Sequence, residues 1–347
     1  MAREQPLSAV GVRKMNAPLP ADPWALREAD FQVLRSRDEK LKFIVRYGVL
    51  APSNRNSQPW RFTVGGDQIT LHAEFSRWQR ISDSHQRELY ISLGCALENL
   101  LIALEHFGFG HVVTLCPDAE DDSIAAQVAI LDKPMVSSFR TASMFRAITR
   151  RHTGHGRYRN RTVAPDILRR LGNCNVDKDL TLFLTRDPAI KRLATELMLK
   201  GDALGLSNPE YREELAECIG AGNFGGPWLL SLAQQFAVAH LGVAKAIARG
   251  NYKALGSSPV FGLISGSTSH RPVQMRAGQL LERLYLAATA RGLSLQPISQ
   301  LLETPKVRSI FSKLFRAGGV PLLPFRLGYA DAPAHSTPRW PLEDVLQ

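Results

Sequence analysis

Apolar residues recur at i, i+3, i+4 and i+7 in two separated stretches, 94–108 (GCALENLLIALEHFG) and 278–292 (GQLLERLYLAATARG). Leu97, Leu100, Leu101 and Leu104 form one stripe, and Leu281, Leu284, Tyr285 and Ala288 form the other. Each segment therefore predicts an amphipathic helix. Aligned without gaps, Gly94, Leu97, Glu98, Leu100, Ala103 and Gly108 fall on Gly278, Leu281, Glu282, Leu284, Ala287 and Gly292. Amphipathicity asks for the leucines but not for the shared Gly–Glu–Gly frame, which favours a duplication. Each copy ends on a glycine suited to a left-handed C-terminal cap. The two helices are expected to pack together in an internal pseudo-dimer, because symmetric association reuses one self-complementary surface.

Around the repeat, the pattern predicts a helix over 38–50 and a β-hairpin, 61–64 with 68–73, turning at Gly65-Gly66-Asp67. Strands are expected at 111–115, 125–131, 180–185 and 325–329, and helices at 187–203, 209–219 and 228–249. Residues 133–143 read as a connection between two units. The expected division is an N-terminal extension over 1–29, a short first unit over 30–143, and a second unit over 144–347. The second unit carries a helical insertion at about 205–270 that could lie as a lid. Gly220–Gly225 matches G-x-G-x-x-G, but it follows a polar helical stretch and not a strand, so it reads as a loop.

Hydrophobic residues make up 44% of the 347 positions and charged residues 22%, the balance of a folded chain with room for two units. Lys and Arg outnumber Asp and Glu by 43 to 32, which favours anionic partners. The charges are scattered, so no nucleic-acid partner is expected. Cys95, Cys116, Cys174 and Cys218 form no C-x-x-C pair, and His152 with His155 lacks a third ligand nearby, so no metal site is expected. The polar start shows no signal peptide, and no apolar run suits a membrane. A cytoplasmic protein is expected.

Three segments carry candidate chemistry. Residues 51–60 (APSNRNSQPW) gather amides and hydroxyls between two prolines, matching a ligand edge with alternating donors and acceptors, or simply a hydrogen-bonded turn. Residues 150–158 (RRHTGHGRY) set arginines beside a hydroxyl and two glycines, an anion-site composition that a solvated basic loop would share. Residues 292–300 (GLSLQPISQ) follow the second repeat helix.

The first segment, A-P-S-x-x-N-x-Q-P-W-x-F, resembles the signature of the FMN-binding nitroreductase family. The resemblance implies that Pro52, Ser53, Asn54 and Asn56 contact the flavin, with Gln58 bracing the loop. Arg151, His152 and Thr153 match the family's Arg-x-Ser/Thr motif, which grips the flavin phosphate. Arg339 matches the Arg of the closing G-Y…R-x-P-L pattern. Thr337 stands where many members have a lysine, a loss of one charge. Ile298, Ser299 and Gln300 match a turn whose backbone N–H groups face N5 and O4 of the ring. The fold implied is α+β: two fused nitroreductase-like units, each a mixed or antiparallel sheet flanked by helices, with a lid, as in the Acg-like branch.

The edge loop occurs only in the first unit and the arginine motifs only in the second, so one flavin site per monomeric chain is expected. The implied activity is two-electron transfer from NADH or NADPH through FMN to a small acceptor such as a quinone or nitro compound. The alternatives are a lidded protein that stores FMN without turnover, and a flavin-free interaction protein. The residues assign no catalytic acid or base.

Overall fold

The computed structural model describes residues 22–223, 228–240, 256–315, 319–331 and 336–347. After a one-turn helix α1 (Glu28–Gln32), Ser36 opens α2 (Arg37–Val49) with a capping box. Its hydroxyl accepts from the Glu39 N–H at 3.1 Å, and the Glu39 carboxylate accepts from the Ser36 N–H at 3.0 Å. This fixes where α2 starts and so where its last carbonyls, at the edge loop, come to lie.

Two four-stranded sheets follow, with the same plan. The first contains β1 (Trp60–Gly65), β2 (Gln68–Ala73), β3 (Gly110–Leu115) and β4 (Ile124–Leu131) in the order β1-β2-β4-β3. The second contains β5 (Leu180–Thr185), β6 (Val260–Gly266), β7 (Ser294–Pro297) and β8 (Val320–Gly328) in the order β5-β6-β8-β7. Every pairing is antiparallel, and the inner pair of each sheet carries a register shift, at Leu71/His72 and at Ile264/Ser265. Shared strand order and shared irregularity extend the duplication beyond the helix from which it was read.

The repeat helices are α3 (Arg87–His106) and α9 (Arg271–Thr289). They pack on each other at Gly94 and Gly278, where a Cβ on Gly278 would overlap the Ile91 carbonyl oxygen and stand 2.9 Å from the Gly94 Cα. The capping glycines take the left-handed conformation, Gly108 at φ +83° and Gly292 at φ +71°. Helix α3 is long and apolar enough to cross a membrane by composition, contrary to the sequence expectation, yet 89% of its most apolar window is buried inside the protein. It is a core helix.

Short helices α4 (Ala142–Ile148) and α5 (Pro165–Gly172) join the two halves. Helices α6 (Pro188–Ser207), α7 (Pro209–Gly220) and α8 (Trp228–His240) lie between β5 and β6. The expected insertion boundary needs one correction. Val260–Gly266 is fully buried and pairs with both β5 and β8, so the insertion ends before it. Its uniform apolar run carries no alternation, which is how a strand buried on both faces reads. Gly220 closes helix α7, so the glycine motif does follow a helix; its residues 224 and 225 and the expected helical stretch 241–249 lie outside the described residues.

After β7 come α10 (Gln300–Glu303) and α11 (Pro305–Leu314). The C-terminal segment then crosses to the other half. Leu346 bridges Phe62 of β1 in parallel, with the Phe62 N–H donating to the Val345 carbonyl at 2.7 Å and the Gln347 N–H to the Phe62 carbonyl at 2.9 Å.

Candidate functional site

The last carbonyls of a helix have no intrahelical donors. At the end of α2 these acceptors are met by two arginines from the far half of the chain. Nη2 of Arg151 donates to the Leu50 carbonyl at 3.1 Å, and Nη2 of Arg339 donates to the Leu50 and Ala51 carbonyls at 3.2 and 3.1 Å. Cations suit a helix C-terminus. Carbonyl dipoles do not neutralise two full charges, however, and both side chains are buried, Arg151 at 4% and Arg339 at 7% exposure. Among the described residues, Nε of each has no hydrogen-bond partner. Burial, with the Arg151 charge beside it, pulls the Arg339 guanidinium well below its ordinary range.

One carboxylate stands near. Glu282, fully buried on α9, approaches Nε of Arg151 at 3.8 Å, beyond hydrogen-bonding distance, and both its oxygens lack a hydrogen-bond partner. Burial pushes it up to about 7, against the pull of Arg151. The Arg151 guanidinium also lies 5.2 Å over the Tyr285 ring.

The edge loop meets the same cluster. Nη1 of Arg339 donates to Oδ1 of Asn56 at 2.8 Å, and Nδ2 of Asn56 donates to the Pro338 carbonyl at 3.0 Å. Thr337 accepts from Nη1 of Arg339 at 2.7 Å, so the residue in the lysine's place orients the arginine. Gln58 accepts from the Trp340 N–H at 2.9 Å and ties the tail to the loop. Ser53 accepts from the Gln58 N–H at 2.9 Å, which closes the loop internally, and Pro52 precedes it half-buried. Arg55, Asn56 and Gln58 adopt positive φ of 47°, 55° and 50°. Three non-glycine residues there represent stored backbone strain, the kind concentrated at ligand clamps. The Asn54 N–H is taken by Ser92, but its buried Nδ2 has no partner.

The other candidates flank this point. Thr153 pairs its hydroxyl with that of Tyr285 at 3.0 Å and bridges to Leu295 of β7. His152 turns toward Ser294 at 3.5 Å, and burial lowers its affinity for a proton. Arg326 of β8 donates to the carbonyls of Gly154, His155 and Gly156, which fixes the loop beyond Thr153. Ile298 gives its N–H to the Pro324 carbonyl and buries its side chain in a second apolar cluster, so its role here is structural. The N–H groups of Ser299 and Gln300 donate to none of the described backbone carbonyls. The turn reaches the edge loop through Glu303, 3.9 Å from Arg55.

Arg55 was not anticipated, and it ties the insertion to the edge loop. It pairs with Glu214 of α7 at 3.1 Å and stacks 4.8 Å over the Tyr211 ring, whose hydroxyl donates to Glu303 at 2.9 Å. Glu214 also accepts from the Ser82 hydroxyl at 2.6 Å. The insertion is thus latched to the loop by buried charge. A void of about 10 Å³ on the Trp78 and Gln79 side of Asn54 has room for about one water and no larger ligand. A separate open hollow of about 600 Å³, lined by Arg159, Arg161, Arg170, Arg291 and Tyr329 among others, involves none of the candidate residues.

No family model matches the chain. Full-length relatives do. It is 26% identical over 335 residues to a Mycobacterium tuberculosis H37Rv protein named "Putative NAD(P)H nitroreductase Rv3131", covering 89% of this chain and 90% of that one. It is 23% identical over 320 residues to "Putative NAD(P)H nitroreductase acg" of the same strain, covering 88% and 95%. Among solved structures, the FMN-dependent nitroreductase NfnB of Mycobacterium smegmatis, in complex with NADPH, aligns with a TM-score of 0.41 at 14% identity, over 59% of this chain and 97% of that one. These relatives bear the name of the family that the loop motifs resemble.

Proposed function

We propose that this chain is an FMN-binding, nitroreductase-like oxidoreductase that takes two electrons from NADH or NADPH and gives them to a small acceptor. The observation that carries the reading is the Arg151–Arg339 pair: two buried guanidiniums from distant segments, each with an Nε that, among the described residues, has no hydrogen-bond partner, and no described carboxylate in hydrogen-bonding contact. A phosphate oxygen is the acceptor that such forks suit. The free amide of Asn54 and the N–H groups of Ser299 and Gln300 supply donors for a polar ring edge, so the residues fit the group. FMN, when bound, supplies the hydride chemistry. The protein's share is to hold the phosphate with Arg151, Thr153 and Arg339, to orient the edge with Asn54 and Asn56, and to exclude water beneath the insertion.

A second reading, an FMN carrier without turnover, is favoured by the Arg55–Glu214–Glu303 contacts, which tie the insertion to the edge loop through buried charge. Adding NADPH or NADH to the FMN-loaded protein without oxygen separates the two. Loss of the flavin's visible absorbance, restored by a quinone, is expected for the enzyme, and persistent colour for the carrier. A chain whose spectrum does not change with FMN would sink both.

A further inference from the structure

Glu98 and Glu282 hold matching places on the repeat helices and are both fully buried, but their surroundings differ. Arg140 binds Glu98 through two nitrogens at 2.9 and 3.1 Å, Arg283 donates at 3.2 Å and Gln279 at 3.0 Å. Glu282 has arginines beside it that donate elsewhere; among the described residues neither of its oxygens has a donor in hydrogen-bond geometry, and the nearby Asn99 amide favours its charge only weakly against burial. A buried carboxylate without donors is strongly disfavoured unless nearby charge demands it. Here that charge is the arginine pair.

Resting on the phosphate reading above, we infer that Glu282 is the resident counter-ion of the Arg151–Arg339 site, and that it takes up a proton from solvent when a phosphate dianion arrives. The dianion brings two negative charges to two positive ones. A third negative charge, buried with only the Asn99 amide to favour it, would then be under-compensated, and protonation removes it. Glu282 becomes a neutral acid whose O–H can donate locally. The site therefore selects a phosphate monoester over the same ligand without phosphate, and it couples binding to pH.

The groups facing Glu282 do not compete for that proton. Arg151 and Arg339 come from the two distant segments, and Glu98 and Asn99 from α3. Arg140 and Arg283 hold Glu98 below the usual carboxylate range, although burial alone would raise it. Burial moves Cys95 and Tyr285 upward, away from neutrality. His152 is depressed by burial below 6.5, so it titrates on the acid side. Glu282, at about 7, changes charge in the neutral range.

The sign follows. The complex holds a proton that the free protein loses above pH 7, so affinity falls as pH rises, by up to about tenfold per unit. Calorimetric titration of the full chain with FMN, in two buffers of different ionisation heat at pH 7.5 and 8.5, should show uptake of about one proton per FMN. Riboflavin should show none. Glu282→Gln should flatten the pH dependence above 7 and bind FMN at pH 8.5 more than about tenfold tighter than the natural chain, while His152→Asn keeps the slope. Should Glu282→Gln fail to fold, the buffer comparison on the natural chain still decides. FMN binding with buffer-independent heat would overturn the role of Glu282 and leave the phosphate site standing. Absence of FMN binding would remove both.

Discussion

Arg151 and Arg339 lie far apart in sequence, yet both donate to carbonyls just after α2, and Asn56 bonds Arg339 there. Removing one charged donor from such a set costs about 1.5–3 kcal/mol. Arg151→Ala should therefore weaken FMN binding by roughly tenfold to a hundredfold, as read by fluorescence titration. Asn56→Ala should weaken it too, because the amide orients Arg339. Unchanged affinity in either variant would detach that residue from the site. The residue types were legible: an amide-rich loop between prolines, arginines beside a hydroxyl, and an Arg near the end. Their pairings were not. Nothing in sequence spacing says that Arg339 leans on Thr337, that Arg55 turns to the insertion, or that the carbonyl of Leu50 is a shared acceptor. Those contacts join residues with no common periodicity. Glu282 was visible only as part of a repeated frame, and its lack of donors is a property of the fold.

At the scale of elements, the repeat helices set the spacing of everything else. Because backbone atoms, and not flexible side-chain tips, surround Gly278, Gly278→Ala forces α3 and α9 apart. The expected loss is about 3 kcal/mol, at the upper end for an overpacked core, measured by chemical denaturation; an unchanged midpoint would contradict the close approach. Arg140 lies in what the sequence offered only as a connection, and it binds both Glu98 and Glu105, the latter at 2.7 Å. Arg140→Ala strands buried carboxylates and should cost about 3–5 kcal/mol by the same measurement. Most strand and helix positions were readable because hairpin turns, capping residues and amphipathic stripes are local signals. Strand β6 escaped because its continuous apolar run VFGLISG sits beside an insertion of similar composition. Strand β7, too short to show alternation, merged with the turn that follows it.

For the whole molecule, the two halves share a sheet plan but differ in what surrounds their matching glutamates. Around Glu282 two arginines give their hydrogen bonds to other acceptors, while Glu98 is held by Arg140 and Arg283 in hydrogen-bonded pairs above the Phe139 ring. Saturating the chain with FMN should therefore load one flavin per polypeptide, by absorbance against protein concentration. Two per chain would mean that the plugged half still binds. The crossing of the C-terminal segment onto β1 has a consequence for biogenesis. Arg339 follows the last strand of both sheets in the chain, so every strand is synthesised before that guanidinium is. On the proposed reading, flavin capture follows the pairing of both sheets, with the segment around Arg339 as the clasp.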